Sequence, residues 1–119
     1  MHALIIEDEA LVSLMLESHL RRLGFTSFDY AYGEDEAVAM AGQRWPDLVL
    51  VDLRHGPGDG LSALRRLGEM GKVAAVFATG APDRLPPGMG FPVVCKPIDD
   101  LDLLGAVKRA FAPGVAPPA

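Results

Sequence analysis

The chain has 119 residues, 50% of them hydrophobic and 23% charged, which suits one compact domain and excludes two full domains. Lys and Arg total 11 against 16 Asp and Glu, so the formal charge of −5 argues against nucleic-acid binding. The single cysteine excludes an internal disulfide framework and favours a reducing, cytoplasmic compartment. Because no apolar run approaches the roughly 20 residues of a membrane helix, we expect no membrane contact and no targeting segment.

Short apolar runs alternate with helical patterns along the chain. The predicted elements are strand 3–6, helix 10–23, strand 26–30, helix 34–44, strand 47–52, helix 61–70, strand 73–78, strand 92–95 and helix 99–111. In the first helix, the apolar residues Leu11, Leu14, Met15, Leu20 and Leu23 have helical spacing, and we expect these stripes of leucine and methionine to lie in the core.

Three segments interrupt this alternation. Residues 54–60 hold three glycines and a proline and are predicted to form a loop. Residues 81–90 hold three prolines and two glycines where a helix should cross back over the sheet, so a full helix is not expected there. Residues 113–119 are predicted to be a Pro-rich tail that follows a domain of residues 1–112.

The alternation of strands and helices predicts an α/β fold with a five-stranded parallel sheet and helices on both faces. In such sheets the binding crevice lies beyond the carboxyl ends of the strands. The side chains that this rule gathers there are Glu7, Asp8, Asp52, Thr79 and Lys96.

This set of side chains suits phosphoryl transfer. Three carboxylates in one crevice repel one another, and a hard divalent cation such as Mg²⁺ would relieve that conflict. Asp52 would then be the nucleophile toward a phosphoryl donor, and Lys96 and Thr79 would contact the phosphoryl oxygens of the product.

Each of these residues also has an ordinary structural interpretation. The pair Glu7-Asp8 is typical of a solvated turn or a helix cap, and Asp52, Thr79 and Lys96 taken singly are common loop residues. Cys95 is expected to be a small core hydrophobe. Arg54 is expected to be a solvent-facing loop residue, although its backbone carbonyl is well placed for the metal. The histidines show no metal-ligand spacing and are expected to be structural or solvated: His2, His19 and His55.

Over about residues 3–111 the chain resembles the receiver domain of two-component response regulators. The resemblance rests on Leu4-Ile5-Ile6-Glu7-Asp8-Glu9, Pro46-Asp47-Leu48-Val49-Leu50-Val51-Asp52-Leu53, Gly60-Leu61, Phe77-Ala78-Thr79-Gly80 and Cys95-Lys96-Pro97. It implies a flavodoxin-like (βα)5 fold with strand order 2-1-3-4-5, in which the fourth helix would here be short or disordered.

The resemblance also implies the chemistry. Asp52 would accept a phosphoryl group from a phosphohistidine, with Mg²⁺ held by Glu7, Asp8, Asp52 and the carbonyl of Arg54. Thr79 and Lys96 would be the switch residues, and the Lys96–Pro97 peptide bond would be cis. The implied partners are a sensor histidine kinase or a histidine phosphotransfer protein, and a downstream protein target. The molecule would be a monomer or weak dimer that catalyses its own phosphorylation and slow autodephosphorylation.

One departure affects the expected switch. Receivers generally carry Tyr or Phe three residues before the lysine, where this chain has Val93. Together with Phe77-Ala78-Thr79-Gly80, this resembles the atypical FAT-GUY subclass, whose members are often single-domain receivers, although Ala81 replaces the residue that completes its signature.

Rival functions remain open at this point. The chain could be a pseudo-receiver that docks partners without phosphorylation, or a receiver fragment of a larger regulator or hybrid kinase. A flavin-binding flavodoxin-like protein is disfavoured, since Glu7-Asp8-Glu9 would repel the flavin phosphate. A haloacid-dehalogenase-type phosphatase would need an acid where Arg54 stands.

Overall fold

A computed structural model of the chain describes residues 1–53, 58–82, 85 and 90–112. The elements are β1 His2–Ile6, α1 Ala10–Arg22, β2 Ser27–Ala31, α2 Glu34–Gln43, β3 Leu48–Leu53, α3 Gly58–Met70, β4 Ala75–Thr79, β5 Val93–Cys95 and α4 Asp100–Phe111. Every predicted strand and helix is present, with bounds that differ from the prediction by three residues at most. In the part of the chain described, no helix is long and apolar enough to cross a lipid bilayer.

The five strands form one parallel sheet in the order β2-β1-β3-β4-β5. This confirms the predicted flavodoxin-like architecture. The strand order reverses direction between β1 and β3, and the register there pairs Ile6 with Val51. The carboxyl ends of β1 and β3 are therefore level with each other at the position where α/β sheets bind their ligands.

The core consists of two apolar layers, one on each face of the sheet. Alternate residues of the buried strands face opposite layers, as parallel strands covered on both sides require. One layer joins α2 and α3 to the sheet through Ala37, Ala41, Ala63, Leu64, Leu67, Val49, Val51, Ala75 and Phe77. The other joins α1 and α4 to it through Leu16, Leu20, Leu103, Ala106, Val107, Leu48, Leu50, Val76 and Ala78.

The rotation of α1 about its axis contradicts the prediction that Leu11, Leu14 and Met15 face the core. Leu11, Leu14 and Met15 are 76%, 55% and 62% exposed, while Leu16 and Leu20 are buried. The helix carries a second series with helical spacing, in which Val12 and Leu23 flank these two leucines, and that series packs on the sheet. The expectation that Leu11, Leu14 and Met15 lie in the core was therefore wrong.

The start of α3 also differs from the prediction. The loop was expected to extend to residue 60, but the helix begins at Gly58. The first amides of a helix need no partner within it, so a glycine-rich first turn is tolerated more readily than glycines in a helix interior. The predicted stripe of Leu61, Leu64 and Leu67 on this helix is confirmed, because all three pack in the layer between α3 and the sheet.

Some predictions fall outside the described residues. These include residues 54–57, most of the segment predicted to have a short or disordered helix (83, 84 and 86–89), and the tail 113–119. Between β4 and β5 the structure describes residues 80–82, 85 and 90–92, and none of these belongs to an α-helix. The domain boundary at residue 112 stays a prediction.

A polar cluster joins α1 to the first residue of α4. Arg22 Nε lies 2.6 Å from one carboxylate oxygen of Asp100, and His19 Nδ1 lies 2.6 Å from the other. The hydrogen bond from Arg22, and then that from His19, lowers the pKa of Asp100 to about 2. Next to this cluster, the Asp99 side chain accepts hydrogen bonds from the amides of Leu101 and Asp102 and so caps α4.

Candidate functional site

The acidic residues of the site come from β1 and β3. Glu7 and Asp8 directly follow β1, and Asp52 is the penultimate residue of β3. Glu7 is fixed by its backbone, since its amide donates to the Ala31 carbonyl at the end of β2, 2.9 Å away. The three carboxyl groups predicted from the sequence are therefore brought together where the strand order reverses.

Glu7 is buried, with 3% of its surface exposed. Burial, followed by hydrogen bonds with the carboxyl groups of Asp8 and Asp52, raises the pKa of Glu7 to about 8. One of its oxygens also accepts a hydrogen bond from the Glu9 amide at 2.9 Å. In the absence of a cation, Glu7 therefore holds a proton among its acidic neighbours at neutral pH.

Asp52 is bound by Lys96 through both carboxylate oxygens. The Lys96 Nζ atom lies 2.6 Å from Oδ1 and 2.5 Å from Oδ2, and the Asp52 side chain is 0% exposed. Lys96 follows β5, and its bond to Pro97 is cis, which confirms the expectation from the resemblance. A buried carboxylate is tolerated when a cation pairs with it and hydrogen-bonds to its oxygens, which is what Lys96 does here.

Thr79 ends β4 and is buried. Its carbonyl accepts a hydrogen bond from the Lys96 amide at 2.8 Å. Its hydroxyl oxygen accepts one from the Ala81 amide at 3.0 Å. The two expected switch residues are thus directly linked through their backbones, and the Thr79 hydroxyl is held by the Ala81 amide, to which the sequence analysis assigned no role in the site.

The donor set fits Mg²⁺. Within residues 1–53, 58–82, 85 and 90–112, no three His, Cys, Asp or Glu side chains are already placed to hold a metal ion together. The carboxyl group of Glu7 nevertheless contacts those of both Asp8 and Asp52. Mg²⁺ is usually held by one or two carboxylates together with water and phosphate oxygens, so a partial set of oxygen ligands is what it requires.

The remaining candidates do not join the site. His2 is buried at the amino end of β1, the opposite end of the strand from Glu7 and Asp8, with its ring nitrogens 2.8 Å from Ser27 Oγ and 2.9 Å from an Asp29 oxygen, which is the structural role expected. His19 lies in the polar cluster of α1 and α4. Arg54 and His55 lie outside the described residues.

The expectation for Cys95 was wrong. Cys95 is exposed rather than part of the core. It is the last residue of β5, a three-residue strand at the edge of the sheet, so fewer neighbours surround it than surround the central strands.

The chain belongs to the response regulator receiver domain family, whose model matches residues 3–108. It is therefore a receiver domain of two-component signalling. Members of this family interact with histidine kinases and downstream targets, and they generally bind Mg²⁺ for phosphorylation.

Several known proteins are similar to this chain. It is 30% identical over 113 residues to the TorCAD operon transcriptional regulatory protein TorR of Escherichia coli K12, covering 91% of this chain and 49% of TorR. It is 30% identical over 114 residues to the transcriptional regulatory protein PdtaR of Mycobacterium tuberculosis H37Rv, covering 92% of this chain and 56% of PdtaR. The chain thus spans about half the length of these curated relatives.

Among solved structures, the receiver domain of the Erythrobacter litoralis PhyR response regulator superimposes with a TM-score of 0.75 at 28% identity, covering 99% of this chain and 95% of that one. The PhyR stress response regulator gives a TM-score of 0.74 at 32% identity, over 95% of this chain and 46% of that one. The FAT-GUY resemblance stays a prediction.

The hydrogen bond from the Ala81 amide to Thr79 was missed in the sequence analysis. A signal for it was present, because threonine hydroxyls commonly accept from the amide two residues ahead in turns that contain Gly or Pro. The segment Thr79-Gly80-Ala81-Pro82 has this composition.

Proposed function

We propose that this receiver works as a phosphorylation switch, accepting a phosphoryl group on Asp52 with Mg²⁺ and acting through protein contacts or a phosphorelay. The observation that carries the proposal is the pairing of Asp52, a buried carboxylate, with Lys96 through both of its oxygens. Glu7 and Asp8 beside it supply further oxygen ligands at the reversal of the strand order.

The proposed reaction moves a phosphoryl group from nitrogen to oxygen. A carboxylate oxygen of Asp52 attacks the phosphorus of a phosphohistidine, the P–N bond breaks, and the histidine takes a proton as it leaves. Lys96 then pairs with the phosphoryl oxygens, and the Thr79 hydroxyl donates to one of them. Mg²⁺, held by Glu7, Asp8, Asp52 and the carbonyl of Arg54, would neutralise charge on the phosphoryl group.

Labelling with acetyl phosphate tests this proposal without a partner. Wild type and Asp52→Asn are incubated with acetyl phosphate and Mg²⁺, and the intact mass is recorded. We expect a phosphoryl adduct on wild type, none on Asp52→Asn, and a normal adduct on Asp102→Asn, which changes an exposed carboxylate of α4. Full labelling of Asp52→Asn would disprove the assignment, and an unlabelled wild type would favour the pseudo-receiver.

We further propose that the exposed apolar face of α1, formed by Leu11, Leu14 and Met15, docks the phosphoryl donor protein. This helix begins two residues after Asp8, so its first turn, which carries Leu11, directly follows the acidic residues at the end of β1. A donor that presents a phosphohistidine to Asp52 has to approach over this edge of the sheet, and an apolar helical surface on that donor would cover these three side chains.

A further inference from the structure

Two hydrogen bonds fix Thr79 to its neighbours. Its carbonyl accepts from the Lys96 amide at 2.8 Å, which joins β4 to the residue that follows β5. Its hydroxyl oxygen accepts from the Ala81 amide at 3.0 Å. The residue is also buried, so these bonds have little competition from water.

The bound hydroxyl belongs to the other face of the sheet from Asp52. Successive side chains of a strand alternate between faces. Thr79 has the same parity as Phe77, which packs in the layer beneath α2 and α3. Asp52 has the same parity as Leu50, which packs in the layer beneath α1 and α4. A hydroxyl that serves a phosphoryl group on Asp52 must therefore turn away from this resting arrangement.

We propose that the Ala81 backbone amide is a positioning group for Thr79, a latch that holds the hydroxyl in its resting position until Asp52 is phosphorylated. The latch is the hydrogen bond from Ala81 N to Thr79 Oγ1. The proposal rests on the proposed function, because it assumes that the hydroxyl serves the phosphoryl group. It assigns to this chain a control point other than an aromatic residue at position 93.

The residues around the latch suit both its formation and its release. Pro82 disfavours the helical conformation at Ala81, which favours a turn at this position over the start of a helix. Gly80 is exposed, and a Cβ atom built on it would meet nothing within 4 Å. The backbone between the two partners can therefore change conformation without displacing packed atoms.

Amide hydrogen exchange of wild type, measured by NMR, tests the latch directly. The Ala81 and Lys96 amides are compared with and without excess acetyl phosphate and Mg²⁺, and the intact mass is recorded on the same samples. In the resting state both amides should be protected. After adduct formation we expect the protection factor of the Ala81 amide to fall at least tenfold. The protection factor of the Lys96 amide, which is bonded to the Thr79 carbonyl, should stay unchanged.

The two possible failures are distinguishable. An adduct with unchanged protection at Ala81 overturns the latch and leaves the proposed function intact. The absence of an adduct overturns the proposed function, and the latch with it. Faster exchange at both amides would show that the whole carboxyl edge had loosened, which also contradicts the latch.

A pair of variants gives a second measurement. Ala81→Pro removes the donor N–H of the backbone. Ala81→Ser keeps this backbone N–H and introduces a side chain of similar size. With limiting acetyl phosphate, we expect Ala81→Pro to form the adduct about two to ten times faster than wild type, the change expected for one hydrogen bond. Ala81→Ser should match wild type, and equal rates in all three proteins would contradict the latch. If Ala81→Pro does not fold, the exchange measurement on wild type still decides.

Discussion

The protonation of Glu7, a residue of the proposed cation site, affects the free energy of unfolding of the domain. Its pKa of about 8 in the folded protein lies above the ordinary value of 4.5, so the folded protein holds this proton more tightly than the unfolded chain does. The resulting stabilisation is fully present below the unfolded pKa and is lost as the pH rises through the folded pKa.

We therefore expect that, without divalent cations, the free energy of unfolding of wild type falls relative to that of Glu7→Gln between pH 5 and pH 8. The difference should be on the order of a few kcal/mol, since the glutamine stays uncharged throughout. Urea denaturation at several pH values measures it. Added Mg²⁺ should raise the stability of wild type most at the high end of this range, because a cation binds the deprotonated carboxylate. Parallel pH profiles for the two proteins would contradict the role of Glu7.

At the scale of elements, the two sides of α1 have different roles: one side packs on the sheet and stabilises the fold, and the other is the proposed docking face. Leu16 is buried against the sheet, whereas Leu14, two residues earlier, is 55% exposed. We expect Leu16→Ala to lower the free energy of unfolding by about 2–5 kcal/mol and Leu14→Ala to lower it by less than about 0.5 kcal/mol. Urea denaturation of this matched pair checks the register, and similar losses in both variants would show that the helix packs differently.

The same helix gives a functional control. Leu14→Glu places a charge on the apolar face and should reduce phosphoryl transfer from a kinase or phosphotransfer protein, while labelling by acetyl phosphate stays unchanged. A parallel loss of both reactions would indicate damage to the site rather than to a docking surface.

The contact between α1 and α4 makes the stability of the fold depend on pH in the acidic range. The pKa of Asp100 is lowered to about 2 by Arg22 and then His19, so its stabilising effect is present above the ordinary pKa of 3.8 and is lost as the pH falls from there toward 2. We expect Asp100→Asn to have a lower Tm than wild type at pH 6, and the gap to close near pH 2. The effect should be small and weaker in high salt, because the pair is solvent-exposed. Asp102→Asn, on the same helix turn, serves as the control.

For the molecule as a whole, the sequence predicted the architecture because each element has its own signal. The run Leu48–Val51 is apolar without interruption, which is typical of a strand buried on both faces, and this strand lies in the middle of the sheet. The carboxyl-end rule then predicts that Glu7, Asp8 and Asp52 lie together, and the Glu7 carboxyl group does contact those of the other two. The placement of these residues at strand ends is thus predictable from the alternation of strands and helices, whereas the strand order 2-1-3-4-5 was implied by the family resemblance.

Two kinds of feature were not predictable from the sequence: the rotation of helix α1 about its axis, and contacts between residues far apart in the chain. In α1, both Leu11-Leu14-Met15 and Val12-Leu16-Leu20 have helical spacing, and periodicity does not say which series faces the sheet. The contact of Arg22 with Asp100 joins residues 78 positions apart, so no local pattern predicts it. The donor of the hydrogen bond between Ala81 and Thr79 is a backbone amide, a group that every residue except proline carries, so the composition of the turn was the only signal for it.

The exposed face of α1 also has a colloidal consequence. Its three exposed apolar side chains can contact a neighbouring copy, and we expect long-range repulsion from the net charge of −5 to oppose such contacts at neutral pH. That repulsion vanishes near the isoelectric point of about 5.0. We expect light scattering at fixed protein concentration to peak near pH 5 and to be reduced there by Leu14→Glu, so solutions kept well above pH 6 should remain clear at the concentrations that spectroscopy requires.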